Sequence, residues 1–254
     1  MRPLINTMLF SLAAGSLSCS MSRFAYTPCS TSKQCRDAFG WGFSCNEEQL
    51  CDEVLPTPRC KETYPSDLLQ RKSDFEDGII IGLQFDKGAF EAEMNAAELA
   101  VKQVMRNEGL AGRPYGLVKC TNEENPEFDS FSQDEANVYV SEYLANEIGV
   151  VAIVGPATSD RVDAAYLAVE KYGTLVMSPA ATSPSLTELD GVDSTYDSPG
   201  LLWRTVPPDD LQGRVLSDYL KSEEIKQVAL VVEEGPYGTA LGVVFSAEFE
   251  GDGN

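Results

Sequence analysis

The stretch that decides the fold is "VVAIVGPATSDRVDAAYLAVEKYGTLVMSPAATSP", residues 150–184. It opens on a short apolar run, residues 150–155, passes a turn of small and hydroxyl residues, and then changes period. Val162, Ala165, Tyr166 and Val169 recur at the spacing of one helical face, which predicts a helix over about 160–172. A second apolar run, residues 174–178, follows and runs into a second small, hydroxyl-bearing turn. Strand, helix, strand in this order predicts a parallel pair with a crossover helix. In a parallel sheet all strands end on one edge, so the turns after Val154 and Met177 open toward one crevice, the edge where α/β folds hold ligands.

The same alternation extends outward. Residues 79–85, "IIIGLQF", read as a strand buried on both faces, and 115–120 as another. Between them Phe90, Met94, Ala97, Val101, Val104 and Met105 define a helical face that Gly109 stops. Ala136, Val140, Tyr143, Leu144 and Ile148 define a further helix over 133–148. Residues 179–200 are rich in Pro, Asp and Ser, and they and "LLWRTVPP", 201–208, read as a crossover to a second unit. That unit begins with a helix over 211–221, a strand "QVALVV" at 227–232, and a helix starting near Thr239. One strand with one or two helices does not complete an α/β domain, so the chain reads as truncated or as a piece of a longer gene.

The first residues, "MRPLINTMLFSLAAGSLSCS", combine one basic residue, a short apolar stretch and small residues, the layout of a secretory signal. The stretch is too short to span a bilayer, which takes about 20 apolar residues. Small residues leading into Cys19 also resemble the lipobox of bacterial lipoproteins, in which that cysteine carries the lipid, although Ser16 stands where an aliphatic residue is usual. Without Cys19, six cysteines remain: Cys29, Cys35, Cys45, Cys51, Cys60 and Cys120. In an exported chain an even number predicts disulfides, and sequence alone does not choose their connectivity. Zinc is the rival for the first four, but they lack a Cys-x2-Cys knuckle. The chain thus divides into a signal at 1–19, a cysteine-rich module at 20–60, a first α/β lobe at 61–205 and the start of a second at 206–254.

Forty acidic residues against nineteen basic give a net charge of -21, which argues against nucleic acid or an anionic membrane surface as partner. There is no histidine, so Ser-His-Asp and Cys-His catalysis and the commonest metal ligand are excluded. Asp160, Asp163, Glu233 and Glu234 sit at helix starts or turns, where acids ordinarily favour the helix dipole or solvent. No cofactor, metal site or enzymatic activity is expected.

The turn "GPATSD" offers the unpaired N–H groups of a helix start and the Ser159 hydroxyl, while "SPAATS" offers the Ala180 backbone and the Thr182 hydroxyl. Together they suit a small carboxylate. The alternative is capping: Ser159 as an N-cap, and Ser183 before Pro184 as the cap of another helix.

"VAIVGPATSD" and especially "LVMSPAATSPSLT", residues 175–187, resemble the type I periplasmic binding proteins of the leucine, isoleucine and valine-binding branch. The resemblance covers roughly residues 78–248 and implies a Rossmann-like parallel-sheet lobe. It implies that Ser159, Ala180 and Thr182 bind the carboxylate and amino groups of an amino acid, with Tyr237 of "GPYG" facing it across the cleft. It further implies an exported, periplasmic or cell-surface protein whose closed form is read by a membrane permease of the ABC type. A ligand-binding ectodomain of a sensory receptor is the alternative role.

Overall fold

The computed structural model describes residues 28–191 and 195–251, so the predicted signal and Cys19 lie outside the described residues. A small crosslinked unit comes first, with helix α1 (Ser32–Phe39) and a hairpin of β1 (Phe43–Cys45) and β2 (Cys51–Glu53). Disulfides Cys29–Cys45 and Cys35–Cys51 hold it together. The sulfurs of Cys29, Cys35 and Cys45 gather within 4.8 Å, but all three are oxidised into these bonds rather than presented as thiolates.

The main sheet begins with β3 (Glu62–Tyr64) and β4 (Ile79–Phe85). Helix α2 (Glu91–Arg106) leads to β5 (Tyr115–Thr121). Helix α3 (Gln133–Glu142) continues as a π-helical turn, Tyr143–Ile148, before β6 (Ala152–Val154). Then come α4 (Ser159–Val169), β7 (Leu175–Ser178) and β8 (Leu202–Arg204). The six strands lie in the order β3-β5-β4-β6-β7-β8, all parallel except β3, which pairs antiparallel with β5.

Alternation along β4 sorts its side chains to two faces. Ile80 joins Val140, Ile148, Val162 and Val169 of the α3 and α4 side, whereas Leu83 and Phe85 join Met94 and Val101 of α2. Burial on both faces is why these strands read as continuous apolar runs. Three expectations are corrected here. Residues 201–208, read as part of a crossover, supply the edge strand β8. Residues 60–78, which carry no predicted strand, supply the antiparallel edge strand β3, fastened beside β5 by the Cys60–Cys120 disulfide. The helix expected over 133–148 changes to π geometry after Glu142.

The fourth correction concerns 227–232. Helices α5 (Asp210–Ser222) and α6 (Pro236–Glu250) pack on each other, with Gly213 of α5 against Val244 and Phe245. The segment between them forms no ladder. Its side chains are largely exposed, Val231 by 93 %, and they border an apolar groove of about 550 Å³ with Leu216, Leu241 and Phe245. A strand exists only through hydrogen bonds to a neighbour, and among the described residues no second strand lies beside this segment. Among the described residues no helix is long and apolar enough to cross a membrane.

The crosslinked unit sits at the N-terminal edge of the parallel strands. The Trp41 indole N–H donates to the Phe75 carbonyl at 2.9 Å, just before β4, and the Gly42 N–H donates to the Ile148 carbonyl at 2.8 Å, just before β6. Arg36 donates to the Asn146 carbonyl and crosses Gly149, where φ is +81° and a Cβ would fall 2.1 Å from the Arg36 Cδ. The opposite, C-terminal edge is left to the two hydroxyl-bearing turns.

Candidate functional site

The first turn leaves β6 through Gly155, whose φ is +101° and whose absent Cβ would lie 2.1 Å from the Gln84 carbonyl oxygen. Only glycine allows the chain to pass so closely over β4. Beneath it Gln84, Asn137 and Ser141 form a fully buried polar network, in which Gln84 Nε2 donates to Asn137 Oδ1 at 2.9 Å and Ser141 Oγ donates to Gln84 Oε1 at 2.9 Å. Asn137 Nδ2 also donates to the Arg161 carbonyl at 3.0 Å, which fixes the first turn of α4 from below.

Ser159 is the first residue of α4, and the cap position belongs to Thr158, whose side chain makes no cap bond. The Ser159 hydroxyl, 5 % exposed, instead accepts the Ser183 backbone N–H at 3.1 Å. Ser178 supplies a second tie between the turns: its hydroxyl donates to the Pro156 carbonyl at 2.7 Å and accepts the Ala181 N–H at 3.1 Å. Neither serine of the capping alternative makes a cap bond. Ser183 precedes a single 3-10 turn, Pro184–Thr187, and its hydroxyl donates to the Pro236 carbonyl at 3.0 Å. Arg204, at the end of β8, donates to the Ser183 carbonyl at 2.8 Å.

The second wall comes from the start of α6. The Tyr237 N–H donates to Asp160 Oδ1 at 3.1 Å, so the N-terminus of α6 rests on the first turn of α4. The Tyr237 hydroxyl donates to Asp209 Oδ2 at 3.1 Å, and Thr182 Oγ1 donates to the same oxygen at 2.5 Å. Burial, with the hydrogen bond and charge of Asp209 behind it, raises the Tyr237 phenol above its ordinary range. A cleft of about 480 Å³ opens between the walls, with Ser159, Ala180 and Thr182 on one side and Tyr237, Gly238 and Glu233 on the other. Carboxylates predominate in it: Asp134, Asp160, Glu233 and Glu234 against the single cation Arg161.

The structure thus brings Ser159, Ala180, Thr182 and Tyr237, predicted from residues far apart in sequence, to one cleft. Asp209 was missed because it reads as an ordinary cap before the apolar face of α5. Ser178 was missed because its partners are loop backbone groups, and Arg204 because its partners, the Ser183 carbonyl and the Thr187 hydroxyl, are ones that no spacing rule reveals.

Solved structures share this architecture. The branched-chain amino acid transporter substrate binding protein LivJ from Streptococcus pneumoniae, solved with isoleucine, superposes with a TM-score of 0.52 and 26 % identity, over 68 % of this chain and 47 % of that one. A solute binding protein from Rhodopseudomonas palustris BisB5, solved with 3,4-dihydroxybenzoic acid, shares the fold at a TM-score of 0.53 and 17 % identity, over 70 % of this chain and 46 % of that one. The fold is that of a type I periplasmic binding protein lobe, a mostly parallel sheet with its cleft at the C-terminal edge. A family model described as "Receptor family ligand binding region" matches residues 92–253, and the chain belongs to that family. The Leu/Ile/Val-binding protein BraC3 of Rhizobium johnstonii is 28 % identical over 183 residues, 71 % of this chain and 45 % of the relative. The chain therefore spans about half the length of the relatives it matches. These relatives are solute-binding and receptor proteins rather than enzymes.

Proposed function

We propose that the chain captures a small amino acid or a related polar molecule for an ABC-type transporter, using the cleft between the two turns and the start of α6. The observation that carries this reading is the convergence of Ser159, Ala180 and Thr182 with Tyr237 around one solvent-open space. The Ser159 hydroxyl and the free N–H groups of the first α4 turn suit a carboxylate, and the surrounding acids suit an ammonium group. The isoleucine held by the Streptococcus pneumoniae neighbour supports the amino acid choice. Closure around a ligand held by both walls supplies the conformational signal, and no bond in the ligand changes.

The same reading places the protein outside the cytoplasm, with residues 1–19 as a signal, 20–60 as a crosslinked module, 61–205 as the first lobe and 206–254 as the beginning of the second. Cys19 is the proposed lipid attachment point, and a membrane permease the partner. The family's description as a receptor ligand-binding region favours one second reading, a sensory ectodomain that reports ligand without transporting it.

Calorimetry and thermal-shift titration with amino acids, amides and small carboxylates test the reading. Binding that is lost in Ser159→Ala and Thr182→Ala is expected. A folded protein that binds none of these ligands would sink the amino acid assignment.

A further inference from the structure

Asp209 stands immediately before α5, the position where an aspartate normally accepts its own helix's N–H groups, yet it makes no such cap bond. Its carboxylate is turned into the cleft wall instead. One oxygen, Oδ2, receives both the Thr182 hydroxyl at 2.5 Å and the Tyr237 hydroxyl at 3.1 Å. Its backbone N–H donates to the Thr182 carbonyl at 2.9 Å, so the pairing with Thr182 is held at two points.

An aspartate carboxylate accepts hydrogen bonds and does not donate them, and each hydroxyl carries a single proton. The Tyr237 proton is therefore committed to Asp209 and the Thr182 proton to Asp209 or the Tyr237 oxygen beside it, so what the two hydroxyls have left to offer a ligand is lone pairs. Ser159 is in the opposite condition. Its oxygen accepts the Ser183 N–H at 3.1 Å, so its own proton is what remains to offer, next to the unpaired N–H groups of the first α4 turn.

We propose that Asp209 is a positioning residue that sets the hydrogen-bonding character of the cleft: it holds the Thr182 and Tyr237 hydroxyls as acceptors in the same cleft where Ser159 keeps a donor. The proposal rests on the amino acid reading given above and deepens it. A cleft with an acceptor end takes a ligand that carries a protonated amine and turns away one whose only charged group is a carboxylate.

Two measurements test it. The first needs no ligand. Tyrosine labelled with carbon-13 at Cζ is titrated by NMR, with the Tyr237 resonance assigned through Tyr237→Phe. In Asp209→Ala, which removes no cap bond, the Tyr237 phenol is expected to ionise at lower pH than in the native protein. An unchanged titration would show that its proton is not donated to Asp209 and would overturn the proposal.

The second is calorimetry with leucine and with 4-methylpentanoate, its counterpart lacking the amino group. The native protein is expected to prefer leucine, and Asp209→Ala to narrow that preference by about tenfold, the worth of one charge-assisted hydrogen bond. A preference unchanged in the variant overturns the positioning role. Native protein that binds neither probe removes leucine as the ligand, and the tyrosine titration then decides the role of Asp209.

Discussion

Two short runs in this chain are alike in being almost wholly apolar and have opposite fates. "IIIGLQF" becomes β4, bonded to β5 on one side and β6 on the other, with Leu83 and Phe85 sealed against α2. "QVALVV", 227–232, has no ladder, and Val231 is 93 % exposed. The difference lies in the neighbours rather than in the residues. An apolar run states that a segment favours burial. Whether it becomes a strand depends on another chain segment offering its N–H and C=O groups at the right edge.

If the comparison is right, stability is concentrated in the sheet and nearly absent from the later segment. The largest effect is expected at the Cys60–Cys120 disulfide, which closes a loop with a sequence separation of 60 beside β3 and β5. Replacing both cysteines by alanine should cost roughly 4 kcal/mol of unfolding free energy in a urea titration, with a steeper slope because the unfolded chain expands without the crosslink. Next is Leu83→Ala, which empties a fully buried position and should cost about 3 kcal/mol in the same assay.

Asp129 offers a third, pH-dependent test. The Arg59 guanidinium, 1 % exposed, binds its carboxylate at 2.6 Å and holds it below the usual carboxylate range. A lowered folded-state value gives stability that is present above the unfolded value near pH 4 and is lost as pH falls through the folded one. Asp129→Ala should cost about 2 kcal/mol at pH 7, less than a fully buried pair because Asp129 is 26 % exposed, and Asp129→Asn should flatten the acid limb of the stability curve. The smallest effect belongs to Val231→Ser, expected within about 0.5 kcal/mol of the native protein. A loss above about 1 kcal/mol there would show that Val231 is covered in solution, and the contrast between the two runs would fail.

Much of the first lobe was legible because its strands and helices announce themselves by period. The inward faces of α3 and α4 follow the predicted residues, since Ala136, Val140, Val162, Ala165 and Val169 are all fully buried. The edges were not legible. β3 is the three residues "ETY", and only pairing with β5 makes it a strand. β8 lies in a Pro-flanked stretch whose composition argues for a loop. At the cleft, the small, hydroxyl-bearing turns after apolar runs drew attention to Ser159, Ala180 and Thr182, and resemblance added Tyr237. The part played by Asp209 depends on which way one carboxylate turns, and that is decided by Thr182 and Tyr237, which lie 27 and 28 positions away along the chain.

The placement of the crosslinked unit has a consequence for direction of approach. It leans on Phe75, Ile148 and Gly149, at the edge of the sheet remote from Ser159 and Thr182. Pro28, bridged to Leu50, belongs to this unit, so the mouth of the cleft opens on the side of the sheet away from it.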